Sequence, residues 1–314
     1  MENRYNILTV IGPTASGKTS LATKLASRLD GIVISGDSRQ VYRGMDIGTG
    51  KDLEEYTVEG KEIPYRLIDI VDAGEKYTLF NYQQDFIKVF KECTALKKTP
   101  VLCGGSGLYV EAVLKGYRLL KVPQNPVLRE ELSKFSLKEL TDLLKKYKTL
   151  HNTTETDTCN RAIRAIEIEE YYSRHGEEFQ NFDFPEIRPL IIGIDIDRET
   201  RRRRISERLA QRLENGMTDE VKSLLDKGIP KETLLYYGLE YKYITLYLTG
   251  SISYREMVEQ LTIAIHQFAK RQMTWFRKME REGFRIHWIK PSENQEETVS
   301  AIVDMFCSGD TAFA

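Results

Sequence analysis

A glycine-containing turn near the start of the chain has the residues of a phosphate-binding loop. Residues 12–19 have the sequence GPTASGKT and fit G-x-x-x-x-G-K-[ST], between a predicted strand and a predicted helix. The glycines let backbone N–H groups face an anion at the positive end of a helix dipole. Lys18 would contact the outer phosphate, and the Thr19 hydroxyl would be a ligand for Mg²⁺. A chance match is the less favoured alternative, and the predicted diphosphate-binding residues are Gly12, Pro13, Thr14, Ala15, Ser16, Gly17, Lys18 and Thr19.

This loop alone does not decide the reaction. A motor-type ATPase or GTPase would normally have an apolar strand that ends in an aspartate and helps to hold Mg²⁺. The apolar run at residues 100–103 ends instead in GGSG, although other predicted strands do end in acids. Two classes stay open: a phosphotransferase that uses a nucleoside triphosphate, and a transferase for which a diphosphate is the leaving group.

Asp37 follows the second predicted strand, in the long aperiodic segment 36–51. The carboxyl ends of parallel strands line one crevice, so Asp37 should lie near the phosphate loop and the GGSG turn. There it could take a proton from a nucleophile, orient one through a hydrogen bond, or bind Mg²⁺ through water. An Asx turn or a helix cap is the structural alternative. The length and polarity of the segment favour function.

The elements around these residues predict an α/β fold with a doubly wound, mostly parallel P-loop sheet. Apolar runs typical of buried strands lie at residues 6–12, 31–35, 65–71, 100–105 and 189–196. Helical patterns lie at residues 19–29, 78–98 (with Thr78 as a cap), 198–215, 218–227 and 254–281, before a short strand at 284–290. Between these elements, two amphipathic patterns without a strand predict a helical insertion. The predicted domains are a core of residues 1–114 and 186–314 and an all-helical insertion of residues 115–185.

Composition limits the classes of protein to consider. The 314 residues carry 41% hydrophobic and 30% charged residues with a net charge of −1, which is typical of a globular protein. Attraction to a polyanion must therefore come from local clusters, because it acts over about 8 Å at physiological salt. We expect no membrane span and no signal peptide. Four cysteines without CxxC spacing predict reduced thiols and a cytoplasmic protein.

Five motifs together resemble one family. GPTASGKT, SGDSRQVYRGMDIGTGK, GGSGLY, RISERL and FAKRQMTWFR occur in the order found in bacterial tRNA dimethylallyltransferases, over most of residues 7–288. The resemblance implies transfer of a dimethylallyl group from dimethylallyl diphosphate to the exocyclic amine of the adenosine 3′ of the anticodon. It implies Mg²⁺ as the cofactor and the tRNA anticodon stem-loop as the partner, and we expect a monomer.

The resemblance also assigns roles to residues. Asp37 matches the proposed base, while Lys18 and Arg208, in RISERL, would stabilise negative charge on the leaving diphosphate. Arg208 belongs to a basic stripe on one helix, for which pairing with Glu207 and Glu214 is the alternative. The tRNA-contacting positions of the family match Asp37, Ser38, Arg39, Gln40, Ser106, Asn160, Arg161 and Arg164. Segment 43–51 is expected to close over the diphosphate, and Trp275 and Phe276 are predicted to be core residues.

The chain departs from the family pattern mainly where tRNA would bind. Tyr65-Arg66 stands where a histidine pair is usual, Asn160 replaces a glutamine, and His266 replaces an arginine. The usual GYKE is replaced at residues 237–243 by YGLEYKY, which has two extra residues. These changes bear on the choice of tRNA more than on the chemistry. Three alternatives remain: a small-molecule P-loop kinase, an adenine-nucleotide isopentenyltransferase, and a catalytically silent tRNA-binding paralogue.

Overall fold

The computed structural model describes residues 4–150, 154–176, 183–291 and 294–309. Backbone contacts divide the chain into a core unit of residues Met1–Gly116 and Pro185–Ala314 and a helical unit of residues Tyr117–Phe184. The strands are β1 (Ile7–Ile11), β2 (Gly31–Ser35), β3 (Tyr42–Arg43), β4 (Thr57–Val58), β5 (Lys61–Glu62), β6 (Tyr65–Arg66), β7 (Val71–Asp72), β8 (Thr99–Gly104), β9 (Pro189–Ile194) and β10 (Ile286–Ile289). The helices are α1 (Lys18–Arg28), α2 (Leu79–Ala95), α3 (Gly107–Leu114), α4 (Pro126–Leu132), α5 (Leu137–Tyr147), α6 (Cys159–Arg174), α7 (Arg198–Glu214), α8 (Met217–Asp226), α9 (Lys231–Tyr236), α10 (Leu239–Leu248), α11 (Tyr254–Arg281) and α12 (Gln295–Ser308).

The core unit is built on a six-stranded parallel sheet in the order β10-β9-β1-β8-β2-β6. Strands β1 and β2 are buried along their whole length, because helices cover both faces of the sheet. β8 lies between them, and its register pairs Gly104 with Ile11 and Cys103 with Ser35. The carboxyl ends of β1, β2 and β8 therefore meet at one edge. The predicted α/β class and parallel sheet are confirmed.

The side chains of β1 alternate between two hydrophobic clusters. Leu8 and Val10 pack with α1 and α12, whereas Ile7 and Ile11 pack with α2 and α11. Phe276 is fully buried in the second cluster, so its prediction as a core residue is confirmed. Trp275 is partly buried and packs against the same cluster. A third cluster joins α7, α8, α10 and α11. Thr78 caps α2 in a capping box with Asn81, as predicted.

The prediction of one strand at residues 65–71 is wrong. Only β6 joins the main sheet, and β7 pairs with β3 in a separate two-stranded sheet. Between β6 and β7 the backbone adopts positive φ at Leu67 (62°) and Asp69 (56°), which ends the strand. The turn lets the Asp69 carboxylate accept a hydrogen bond from Lys51, whose side chain is 1% exposed. An apolar run cannot reveal this interruption, because the buried lysine that needs the turn lies in another segment.

The helical unit contains α4, α5 and α6 around a small apolar cluster that includes Leu140, Leu144 and Ile166. Glu167 of α6 is buried, yet its carboxylate accepts hydrogen bonds from Arg129 at 2.7 Å and 2.9 Å and from the Asn125 N–H at 2.6 Å. Burial alone would raise the pKa of Glu167, but these bonds and one from Arg164 hold it at about 2. In the described part of the chain, no helix combines the length and the apolar character needed to cross a bilayer.

Candidate active site

The phosphate loop connects β1 to α1 as the sequence predicts. Gly17 adopts φ 84° immediately before α1, a left-handed conformation that glycine enters without strain. A Cβ on Gly12 would lie 2.6 Å from the Ser16 Oγ, so a larger residue there would displace the Ser16 side chain. Within the described ranges, no side chain caps the start of α1. Its first backbone N–H groups are therefore available to an anion.

Gln272 of α11 connects the phosphate loop to the turn after β8. The Thr14 N–H donates to the Gln272 Oε1, and the Gln272 Nε2 donates to the Gly105 carbonyl, each at 2.8 Å. The sequence analysis missed this residue. Its signal is a polar residue on a buried helix face, since Ala269 and Phe276, three and four positions away, are both fully buried.

Lys18 lies among charged groups from several elements. Burial lowers the pKa of Lys18, and Arg208 acts in the same direction, whereas Asp37 raises it. Burial also raises the pKa of the neighbouring Cys103 thiol to about 12, which keeps this thiol neutral at physiological pH. The three residues predicted to be catalytic, Lys18, Asp37 and Arg208, thus lie close enough to interact electrostatically.

Asp37 is half-buried directly after β2. Its Oδ1 accepts a hydrogen bond from the Arg39 N–H at 2.8 Å, which is the Asx-type turn considered from the sequence. Its own N–H donates to the Ser35 Oγ at 3.3 Å. Among the described residues, no group donates a hydrogen bond to the Asp37 Oδ2. The turn therefore orients the carboxylate through one oxygen and leaves the other for chemistry, so the structural and functional interpretations are compatible.

The neighbouring residues predicted to contact tRNA are tied to other parts of the core. Ser38 donates its N–H to the Ser106 Oγ at 3.2 Å, which joins the turns after β2 and β8. Gln40 accepts from the Ser35 Oγ at 2.8 Å and donates to the Gly50 carbonyl at 3.0 Å. Arg39 donates to the Tyr236 carbonyl at 2.8 Å. The structure thus brings Ser38, Arg39, Gln40 and Ser106 together beside Asp37.

The basic stripe of α7 has a partner that the sequence analysis did not identify. Arg208 and Arg212 both donate to the carboxylate of Asp52, at 3.1 Å for Arg212. The alternative pairing of the stripe with Glu207 and Glu214 is wrong for these two arginines, and Glu207 lies 3.8 Å from Arg203. Burial and the adjacent Arg212 lower the pKa of Arg208, while Asp52 opposes this shift.

Two further acids at the site were also missed. Burial, then the charge of Asp52, raises the pKa of Glu55, and burial raises the pKa of Glu240. Glu240 lines a cavity beside the phosphate loop with Thr14, Arg208 and Arg212.

Segment 43–51 packs on α8 and α10. The Glu220 carboxylate accepts hydrogen bonds from the N–H groups of Asp46, Ile47 and Gly48, at 2.8, 2.7 and 3.0 Å. Tyr241 donates its hydroxyl to the same carboxylate at 2.6 Å. These contacts anchor the segment, and its closure over a diphosphate stays a prediction.

The residues present fit a Mg²⁺ ion that is held mainly by phosphates. No group of three or more His, Cys, Asp or Glu side chains in the described ranges is placed to hold a metal ion. Mg²⁺ usually keeps several waters and binds through one or two protein oxygens plus substrate phosphates. The half-buried Thr19 at the start of α1 offers one such oxygen.

The other predicted tRNA-contacting residues belong to α6 of the helical unit. Asn160 is exposed, and Arg161 pairs with Asp157 at 2.7 Å. Arg164 donates to Glu167 and to the Val122 carbonyl, the latter at 3.0 Å. Arg164 therefore has a structural role within its own unit, which the sequence analysis did not anticipate.

A parallel α/β sheet with a phosphate loop after β1 and an oriented carboxylate after β2 defines the class of P-loop proteins. Within that class, the chain belongs to the IPP transferase family, whose model matches residues 40–279. This confirms the resemblance found in the sequence.

Known proteins agree with this membership. The chain is 60% identical to tRNA dimethylallyltransferase 2 of Phocaeicola vulgatus over 302 residues, which cover 96% of this chain and 98% of that protein. It is similar to the crystal structure of the full-length tRNA isopentenylpyrophosphate transferase of Bacillus halodurans, with a TM-score of 0.69, 31% identity and 96% of both chains covered. A eukaryotic dimethylallyltransferase acting on tRNA has the same fold, with a TM-score of 0.78, 21% identity, and 99% and 81% of the chains covered.

Proposed function

We propose that this protein transfers a dimethylallyl group from dimethylallyl diphosphate to the exocyclic amine of the adenosine 3′ of the anticodon in tRNA, and releases diphosphate. The observation that carries the proposal is the gathering of Lys18, Asp37 and Arg208 at one edge of the sheet, beside the free N-terminus of α1. Family membership favours this reaction over a small-molecule kinase. We further propose that the protein acts in the cytoplasm as a monomer.

Asp37 is the proposed base. An adenine amine is a poor nucleophile, because its lone pair is delocalised into the ring. As the new C–N bond forms, the Asp37 Oδ2 takes a proton from the amine, while the Oδ1 keeps its bond to the Arg39 N–H. The C–O bond of the allylic diphosphate breaks at the same time, and its electron pair leaves with the diphosphate.

The leaving diphosphate gains negative charge, and the site supplies positive groups to meet it. Lys18, the N–H groups at the start of α1 and the guanidinium of Arg208 would contact its oxygens. These donors are fixed by the fold, so they need little rearrangement when the charge develops. Mg²⁺, held by Thr19 and the phosphates, would offset further charge when bound.

The acceptor base must leave its stack to reach this crevice, as single-stranded loop bases do in protein complexes. Ser38, Arg39, Gln40 and Ser106 surround Asp37 and would contact the extruded base and its backbone. Asn160, Arg161 and Arg164 on α6 are the proposed contacts of the helical unit with the anticodon stem-loop.

Nucleoside mass spectrometry tests the proposal. Purified protein, Mg²⁺, dimethylallyl diphosphate and unmodified tRNA should yield one isopentenylated adenosine, located 3′ of the anticodon. Free AMP in place of tRNA should give no product, and ATP in place of the allylic diphosphate should not be consumed. Unmodified adenosine throughout would overturn the proposal, whereas product from AMP alone would indicate an adenine-nucleotide isopentenyltransferase.

A further inference from the structure

Asp52 contacts the two arginines of the site, although no motif assigns it a role. One carboxylate serves both guanidinium groups, and the Arg212 Nη2 lies 3.1 Å from each of its oxygens. The side chain of Asp52 is 24% exposed, and those of Arg208 and Arg212 are 32% and 15% exposed. The cluster is thus half-buried but open to an incoming ion.

The backbone holds Asp52 against these arginines. Asp52 adopts φ 44° and ψ 56°, in the left-handed region that few residues other than glycine adopt but that aspartate and asparagine tolerate. Gly50 adopts φ 64°, and a Cβ there would lie 2.1 Å from the Arg212 Nη2, so the main chain itself contacts the guanidinium. The segment that precedes Asp52 is anchored on Glu220. An unusual conformation that the surroundings maintain in this way points to a function.

We propose that Asp52 is an internal competitor of the diphosphate for Arg208 and Arg212. Its carboxylate positions the two arginines and weakens the binding of diphosphate, so that the product can leave. The inference rests on the proposed function, because it takes Arg208 to contact the diphosphate. A guanidinium that already binds a carboxylate brings a second anion close to a negative charge, and like charges repel strongly in a half-buried site.

This competition has a consequence for catalysis. Charge accumulates on the diphosphate as the C–O bond breaks, so the arginines gain most by moving from Asp52 towards the diphosphate in the transition state. An interaction that strengthens in the transition state raises the rate, whereas one made equally with the substrate only tightens binding. When the pyrophosphate leaves, Asp52 takes the arginines back.

The test measures the binding of inorganic pyrophosphate with Mg²⁺ to the full-length protein by isothermal titration calorimetry. Asp52→Asn removes the charge, keeps the size of the side chain and tolerates the left-handed backbone. We expect the Kd for pyrophosphate to fall by about ten-fold in this variant. Inhibition of the transfer reaction by added pyrophosphate should strengthen by a similar factor, and kcat should fall because the product leaves more slowly.

Two further variants keep the test decisive. Asp52→Gly also removes the charge and relieves the backbone, and it should tighten pyrophosphate binding in the same way if the asparagine variant does not fold. Glu54→Gln removes a charge from an exposed acid of the same turn, and its Kd should stay within about two-fold of the wild type. Unchanged or weaker binding in a folded Asp52 variant would overturn the proposal.

The two proposals can fail separately. If the wild-type protein binds pyrophosphate but does not modify tRNA, the proposed function fails while the competition can still be measured. If tRNA is modified and Asp52→Asn changes only the unfolding temperature, Asp52 is structural and the proposed function stands.

Discussion

Two pairs of arginines in this protein each share one carboxylate, and the two arrangements differ in burial and in bonding. In the helical unit, Glu167 is 2% exposed and also accepts a backbone N–H, so its acceptor positions are largely filled. In the core unit, the side chain of Asp52 is 24% exposed, in a cluster beside the phosphate loop. The same chemical motif thus occurs once as part of a closed structure and once beside a predicted ligand site.

The difference teaches how to separate structural acids from functional ones. A buried carboxylate with two guanidinium partners and a backbone donor is costly to disturb, because removal of one partner leaves an unpaired buried charge. A carboxylate whose arginines are partly open to solvent can exchange them for another anion at a smaller cost. The contrast predicts that substitutions at the edge of the sheet change activity, while substitutions around Glu167 change stability.

The largest effect should come from Asp37→Asn. Asparagine can still accept the hydrogen bond from the Arg39 N–H, so the turn is kept while the base is lost. We expect kcat to fall by about 10³-fold, within the range of general-base contributions. Single-turnover formation of isopentenyladenosine measures this rate. The unfolding temperature should not change, and pyrophosphate binding should not weaken, because a negative charge beside Lys18 is removed. A variant that keeps more than about a tenth of the wild-type rate would contradict the assignment of Asp37 as the base.

Glu167→Gln should have the opposite profile. The change leaves Arg129 and Arg164 without their anion, and it should lower the free energy of unfolding of the helical unit by about 3 kcal/mol. Hydrogen exchange of α4 and α6 measures this loss. Pyrophosphate binding to the core unit should be unaffected. Glu170→Gln, which removes an exposed pair with Arg174 on the same helix, is the matched control and should cost less than about 0.5 kcal/mol.

Low pH should also lower the stability of the helical unit in the wild-type protein. The pKa of Glu167 is about 2 in the folded state, below the ordinary value of 4.5, so its ionised form stabilises the fold above pH 4.5. This contribution is lost as the pH falls from about 4.5 to about 2, and it amounts to about 3 kcal/mol. Hydrogen exchange of α6 as a function of pH should show the decline, and Glu167→Gln should lack it. Equal acid sensitivity in both proteins would contradict this assignment.

The sequence predicts the parts of the fold that depend on local pattern. β2 matches residues 31–35, and α11 matches residues 254–281, because burial of a strand and of one helix face leaves a periodic trace. The phosphate loop and Asp37 could be placed together because parallel strands bring their carboxyl ends to one edge. These inferences need only the order and type of the elements.

The rest depends on partners that are distant in the chain. Asp52 belongs to the site through its contact with Arg208, which lies 156 positions away in the sequence. Gln272 belongs to it through its contact with Thr14, which lies 258 positions away. Neither Asp52 nor Gln272 belongs to a sequence motif whose spacing would identify its partner. The break in the predicted strand at 65–71 has the same cause, since Asp69 turns towards Lys51 in another segment. Periodicity reports whether a side chain is buried, not which group it meets.

Gln272 provides the last test, with the smallest expected effect. Its side chain is buried and fully hydrogen-bonded, like that of Glu167, but it lies beside the phosphate loop, like Asp52. Gln272→Ala removes the acceptor of the Thr14 N–H and the donor to the Gly105 carbonyl. Loss of two neutral hydrogen bonds should loosen the loop and raise the Kd for pyrophosphate by about ten-fold.

Two variants locate the cause of this effect. Gln272→Glu can still accept from the Thr14 N–H, but when ionised it cannot donate to the Gly105 carbonyl and adds a negative charge beside the phosphate loop, so its Kd should rise further than that of Gln272→Ala. Gln267→Ala, at an exposed position of the same helix, should leave the Kd within about two-fold. If Gln272→Ala lowers only the unfolding temperature, buried polar groups in both units are structural, and burial alone separates structure from function. If Gln272→Ala weakens pyrophosphate binding as expected, a buried polar group can be functional when it lies beside the ligand. The difference between Asp52 and Glu167 would then depend on their location as well as on their burial.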